Sequence, residues 1–171
     1  MARDNELFKK INNGDSSALE ELIRIYYPDI LRYCMWHTPN RQTAEDATQE
    51  TFLKAVRYLD NYIHHGQFRA FLYKIAANIC TDLWRKSKMQ TPYESEEYIE
   101  PGFARAESDI SMKKILALLP ESQREIIILR FVHELKIREI SDILNEPPRT
   151  VQSRLRAALK KLEKILGKEQ W

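Results

Sequence analysis

A chain of 171 residues with 27 Lys and Arg against 25 Asp and Glu carries a net charge of +2, which by itself says little about nucleic acid; its distribution says more, with residues 85–88 and the last helix basic and residues 94–109 acidic. Its 43% hydrophobic content suits a globular protein with one core or two small ones, and only 4 glycines favour helices over turn-rich sheets. Cys34 and Cys80 stand alone, without a CxxC or Cys/His pairing, so neither a zinc site nor a disulfide framework is indicated and a reduced, cytoplasmic protein is expected. The polar, charged residues 1–10 do not read as a signal peptide, and no apolar run approaches membrane-spanning length.

Residues 5–13 read as a short helix ended by Gly14. Asp15 or Ser17 caps the next one, and Ser17 with Glu20 has capping-box form. Leu19, Leu22, Ile23 and Tyr26 line its inner face, and Pro28 is expected to kink or restart the helix before Ile30, Leu31 and Cys34 continue it. After a Thr38-Pro39-Asn40 loop, Thr43 is expected to cap a third helix that runs to about Leu59, with Ala47, Leu53, Val56 and Leu59 facing inward.

Residues 60–67 are a break, and a fourth helix spans 68–87. Phe68, Leu72, Ile75, Ile79 and Leu83 make its core face. A second face holds Phe71, Lys74, Asn78, Asp82 and Arg85, flanked by Tyr73 and Trp84. Aromatics interleaved with Arg and Lys beside a polar loop suit a stacking platform for unpaired bases; aromatics at this spacing also suit a plain core. Residues 88–110 lack a helical period, carry Pro92, Pro101 and Gly102 and are rich in Glu, which reads as a flexible acidic linker.

Helical spacing returns at residue 111, with Ile115, Leu116 and Leu119, then Pro120, then Ile126, Ile127, Leu129 and Phe131. Two further helices follow, joined by a short turn at Asn145 and Glu146. Ile137, Ile140, Ile143 and Leu144 stripe the first, with small Ser141 letting the helices cross closely. Pro148 suits the first position of the second, where no N–H is missed. Val151, Leu155, Leu159, Leu162 and Leu166 make one face of that helix; Arg149, Gln152, Ser153, Arg156, Lys160 and Lys164 make the other. Arg can take guanine edges, Gln adenine edges, and lysines can hold phosphates, so the pair reads as a helix-turn-helix; the plainer reading is a helical hairpin with a solvated basic face. No nucleophile with a neighbouring base, Gly-rich phosphate loop or ligand cluster points to an enzyme, a metal or a cofactor.

Four stretches carry a family resemblance. Asp46-Ala-Thr-Gln49-Glu50-Thr-Phe52 is similar to the DxxQExF motif of bacterial sigma factors, and residues 68–78 (FRAFLYKIAAN) resemble their FRxWLYxIAxN stretch. Residues 119–125 (LPESQRE) and 150–155 (TVQSRL) look like LPxxxRE and TVxSRL. Their order and spacing match the extracytoplasmic-function (ECF) branch, which keeps the domains called sigma-2 and sigma-4, over roughly residues 5–166.

The resemblance implies an all-α chain of two small helical domains: a sigma-2-like domain at 5–87, a linker at 88–110 and a sigma-4-like helix-turn-helix domain at 111–168. It implies a transcription initiation factor that binds core RNA polymerase through the β′ clamp helices and the β flap, directs it to −35 and −10 promoter elements and assists opening. An anti-sigma protein is a further implied partner. Asp46, Gln49, Glu50 and Phe52 match the polymerase contact. Tyr62, His64, His65 and Asn78, with Arg85 and Lys86 beyond, match the −10 side. Without a third ligand the two histidines are expected to be solvated or near phosphate. Arg149, Thr150, Gln152, Ser153, Arg156 and Lys160 match the −35 side. The alternatives are a dimeric helix-turn-helix regulator acting without polymerase and a helical interaction adaptor. Three positions depart from the family pattern: Phe71 stands where Trp is usual, Asn145 replaces a common turn glycine, and Arg149 stands where Gly is frequent.

Overall fold

A computed structural model describes residues 2–62, 64–89 and 106–169, and the chain divides into two compact units, Met1–Tyr98 and Ile99–Trp171. The described residues are helical, with no strand among them. The middle of the expected linker, residues 90–105, lies outside the described residues. Both of its expected ends are helical instead, because the flanking helices run to Met89 and begin at Ala106.

In the first unit α1 (Ala2–Asn12) stops where Gly14 takes φ +86. The N–H of Gly14 bonds the Ile11 carbonyl at 3.0 Å, and that of Asp15 bonds Lys10, also at 3.0 Å, which together satisfy the last free carbonyls of the helix. Asp15 then caps α2 (Ser16–His37), accepting from the backbone N–H of Ser17 and Ala18. The Ser17 hydroxyl donates to the same carboxylate at 2.6 Å, so Ser17 supports the cap without being it. That bond and the helix N–H groups hold the Asp15 carboxyl below its ordinary range. Pro28 does not restart the helix: α2 runs through it. Pro28 is exposed, so the carbonyl it leaves unbonded falls on the side where water can serve it.

Asn40, not Thr43, caps α3 (Arg41–Tyr58): its side chain accepts from the Thr43 backbone N–H at 2.8 Å. The inner face of α3 is Ala44, Ala47, Thr48, Thr51, Phe52 and Ala55, all buried. Leu53 and Val56, expected inside, are 54% and 39% exposed. Small side chains bring α3 close to its neighbours, and the two buried hydroxyls are satisfied within the helix, Thr48 to Ala44 and Thr51 to Ala47, each at 2.7 Å. A 3-10 turn (Leu59–Asn61) leads to the loop before α4 (Phe68–Met89), which packs on α2 and α3 through Phe68, Leu72, Tyr73, Ile75, Ala76, Ile79 and Cys80. Tyr73, placed by its spacing at the edge of the core face, is fully buried edge-on to Tyr33.

In the second unit, α5 (Ala106–Leu116) turns into α6 (Glu121–Ile127). Here the LPESQRE stretch acquires a physical role. The Arg124 guanidinium donates to the carbonyls of Leu116 and Leu119, both at 3.1 Å; the Leu116 carbonyl also accepts the Leu119 N–H at 3.0 Å, so Arg124 ties the end of α5 to the turn that follows it. Arg124→Met keeps the aliphatic bulk and removes two charge-assisted bonds, leaving the Leu119 carbonyl without that donor; we expect urea unfolding of the second unit at a stability lower by about 1.5–3 kcal/mol.

The chain then widens into a π-helical turn (Ile128–Val132), closed by the His133 N–H on the Ile128 carbonyl at 3.2 Å. The wider turn shifts the helical phase, so Ile128 joins Leu129 in the core and Phe131, expected inside, is 56% exposed. Finally α7 (Ile137–Leu144) and α8 (Pro148–Glu169) pack on each other, and α6 packs on α8. The α8 inner face is Val151 and Ala158, with Leu155, Leu162 and Ile165 half-buried. Leu159 and Leu166 point outward, one residue off the expected stripe.

Candidate nucleic-acid interface

Three surfaces hold the residues singled out by the sequence. The first is the outer side of α3. Asp46, Gln49 and Glu50 are exposed and lie within about one helical turn. Gln42 steadies Asp46 through a 3.0 Å bond from its amide to the carboxylate. Leu53 and Val56 extend the same stripe, making a face that is acidic at one end and apolar at the other. Phe52 does not belong to this face. It is buried and stacked on Tyr27 at 5.9 Å, a core side chain of the first unit. The small residues at 44, 47, 48, 51 and 55 are the signal that would have told inner side from outer.

The second surface surrounds the turn before α4. Tyr62 and His64 are half-buried in an aromatic cluster, while His65 is exposed. The Tyr62 ring lies 4.9 Å from Phe71, 5.7 Å from Phe68 and 5.4 Å from Phe8 of α1. His64 stacks on Phe8 at 4.3 Å with 16° between the planes, so it is not the solvated residue expected of a loop histidine pair. Burial holds the His64 imidazole below its usual range, against the pull of the Asp4 carboxylate, and it is neutral near pH 7. Its Nε2 is buried with no hydrogen-bond partner among the described residues. Burial, helped by Asp4, pushes the Tyr62 phenol up to about 12. Nothing in the sequence pattern pointed to Phe8, which lies 54 residues before Tyr62.

Asn78 is exposed on α4, two turns beyond Phe71 and therefore about 10 Å further along the axis. Lys74 and Asp82 share that outer stripe, and Arg85 and Lys86 are exposed at its far end. Tyr62 and Phe71 thus stand at one end of this outer stripe of α4 and Asn78 further along it.

The third surface is the helix-turn-helix. Asn145 ends α7 in the left-handed conformation (φ 53, ψ 44), which Asn tolerates better than most residues and which the usual glycine would adopt freely. Ser141 does more than stay small: its hydroxyl donates to the Glu146 carbonyl, and its own carbonyl accepts from the Glu146 N–H. Arg154 bonds the Glu146 carboxylate at 3.2 Å and ties the turn to α8. Arg149, Gln152, Ser153, Arg156 and Lys160 are all exposed at steps of three and four, with Thr150 half-buried beside them. A helix about 10–12 Å across fits a major groove about 12 Å wide, with this stripe toward the base edges.

Comparison with known proteins agrees with this arrangement. The Sigma-70 region 2 family matches residues 22–89, and the Sigma-70 region 4 family matches residues 110–162. The chain is 30% identical to the ECF RNA polymerase sigma factor SigW of Bacillus subtilis over 92% of its own length and 94% of that protein. It is 32% identical to the RNA polymerase sigma factor SigV of the same species, over 82% and 86%. Two solved structures share the fold. CnrH, in complex with the cytosolic domain of CnrY, superposes with a TM-score of 0.76 at 21% identity over 96% of this chain and 97% of that one. The sigma factor RpoE of Bartonella quintana, in complex with the anti-sigma factor NepR, gives 0.73 at 23% over 86% and 96%. With both regions present in order, and relatives matched over nearly their whole length, the chain belongs to the ECF sigma factors, the initiation factors of bacterial RNA polymerase.

Proposed function

We propose that this sigma factor divides its work among the three surfaces. The outer stripe of α3 binds core polymerase through Asp46, Gln49 and Glu50, with Leu53 and Val56 added to that contact. The α8 stripe reads the duplex −35 element: Gln152 and Arg156 take base edges, while Arg149, Thr150, Ser153 and Lys160 set the helix against phosphates. The surface between Tyr62 and Asn78 takes an unpaired −10 base, and His65, Arg85 and Lys86 follow the strand. Capture is possible only once the base is unpaired, so it offsets part of an unpairing cost of a few kcal/mol. The chain does no catalysis of its own.

The observation that carries this reading is the α8 stripe, five polar and basic side chains exposed on one line behind a tied turn. CnrH and RpoE were solved with CnrY and with the anti-sigma factor NepR, which makes an inhibitory protein of that kind a further partner here. The β flap is assigned as the second polymerase contact, through the second unit. No described helix is long and apolar enough to cross a membrane, in keeping with work beside polymerase in the cytoplasm.

The test is reconstitution. The purified chain, added to bacterial core polymerase and a random-sequence DNA pool, is expected to select duplexes with two conserved blocks and to start transcription downstream of them. Selection of a single palindromic site by the chain without core would overturn the reading in favour of a dimeric regulator.

A further inference from the structure

We propose that Phe8 of α1 is a positioning residue for −10 strand capture, its ring braced flat against His64 so that His64 and Tyr62 stand ready for an unpaired base. This rests on the assignment of the Tyr62–Asn78 surface made above. It extends that assignment to a helix outside the matched family regions, which begin at residue 22.

The aromatic cluster around Tyr62 is assembled from two sources. Phe68 and Phe71 belong to α4, only a few residues further along the chain, and by themselves make a local cluster. Phe8 comes from another element. Its ring reaches Phe68 at 5.0 Å as well as Tyr62 and His64, so it fixes the loop side chains to the body of the unit. Helix α1 is itself held down: the Tyr26 hydroxyl donates to Asp4, and Arg3 pairs with Glu21 at 2.6 Å.

Phe8 is only 6% exposed, so it cannot meet DNA and acts through the rings it supports. What it supports carries a buried nitrogen without a partner: the His64 plane is set by stacking, its Nδ1 lies 3.4 Å from the Tyr62 hydroxyl, and its Nε2 has no partner among the described residues. A ring held in place with one unpaired nitrogen is a group prepared for a hydrogen bond it does not yet make. Holding it in place before the strand arrives removes an ordering cost that would otherwise be met at capture.

The experiment uses full-length chain in holoenzyme, with a single-stranded −10 oligonucleotide and a duplex −35 fragment taken from a promoter the wild-type holoenzyme selects from the random pool. Phe8→Leu keeps an apolar filling and removes the flat face; Phe8→Met serves the same purpose should the leucine variant fail to fold. We expect single-strand affinity to fall about five- to tenfold, the worth of a good aromatic pair, with −35 duplex affinity within about twofold of wild type. In a Tyr62→Ala/His64→Ala background the same substitution should change single-strand affinity less than about twofold, because the rings it acts through are gone. An equal loss in both backgrounds, or an equal loss of −35 affinity, makes Phe8 an ordinary core residue and overturns the proposal. Tighter single-strand binding by Phe8→Leu would show a cover instead of a brace and overturns it too. If Tyr62→Ala and His64→Ala both bind the single strand like wild type, the assignment of the surface itself falls, and the proposal with it.

Discussion

Replacing Asp46 and Glu50 together with lysine is expected to abolish co-purification with core polymerase while leaving helix content and melting unchanged. Both carboxylates are exposed, so reversing them removes nothing from the core, and two like charges set against a basic partner face cost several kcal/mol. Leu53→Asp, further along the same stripe, should weaken the complex in the same way with the fold intact. Phe52→Ala is the contrasting variant. Phe52 belongs to the same motif but is buried on Tyr27, so its truncation should destabilise the first unit by about 3–5 kcal/mol and lose polymerase only through unfolding. The measurement is pull-down of core subunits beside thermal melting for each variant. Undiminished co-purification by the double lysine variant would remove α3 from the polymerase contact.

The second large effect separates reading of duplex from capture of single strand. Arg156→Ala should weaken holoenzyme recruitment and relax discrimination at one −35 position, at about 1–3 kcal/mol if the contact is bidentate. Asn78→Ala should leave recruitment nearly intact and impair opening. A template with a pre-opened bubble supplies the unpairing, so it should rescue much of the Asn78→Ala defect while discrimination at the captured base stays lost. Arg156→Ala should gain no comparable rescue, since its target is duplex on both templates. Transcription and permanganate reactivity on matched duplex and bubble templates measure this. Equal failure of Asn78→Ala in duplex recruitment, with no rescue by the bubble, would reduce Asn78 to a structural polar residue.

The element types could be read from the sequence because apolar spacing and turn residues agree along most of the chain. Gly14 stopping α1, Pro148 opening α8 and Asn145 in the left-handed turn are local consequences of single residues, legible for that reason. Phase was harder to read. On α3 the large residues Leu53 and Val56 were placed inside by their hydrophobicity, yet close helix packing selected the small Ala and Thr side chains. On α6 a π-helical turn moved Phe131 out, and no residue pattern announces a wide turn in advance. Caps went to Asp15 and Asn40, whose carboxylate and amide oxygens outcompeted the hydroxyls of Ser17 and Thr43. The exposed polar stripe of α8 was visible because one helix carries it. The Phe8–His64 stack was not visible, since it joins residues 56 positions apart that no shared periodicity relates.

The two faces of α3 also bear on how this chain can drift. Toward the neighbouring helices, Ala44, Ala47 and Ala55 leave no room for a larger side chain, and each added methylene group would force a shift costing about 1–3 kcal/mol. Toward solvent, on the proposed assignment, Asp46, Gln49 and Glu50 are answerable to the polymerase they would contact. A helix constrained by volume on one side and by charge on the other has few neutral positions through its middle turns. On the same assignment, substitutions there are removed whichever way they point, whereas the outward residues of α8 could change one at a time and shift the promoter preference proposed for them. On this account α3 is the slow-changing part of the molecule and α8 the part free to diverge.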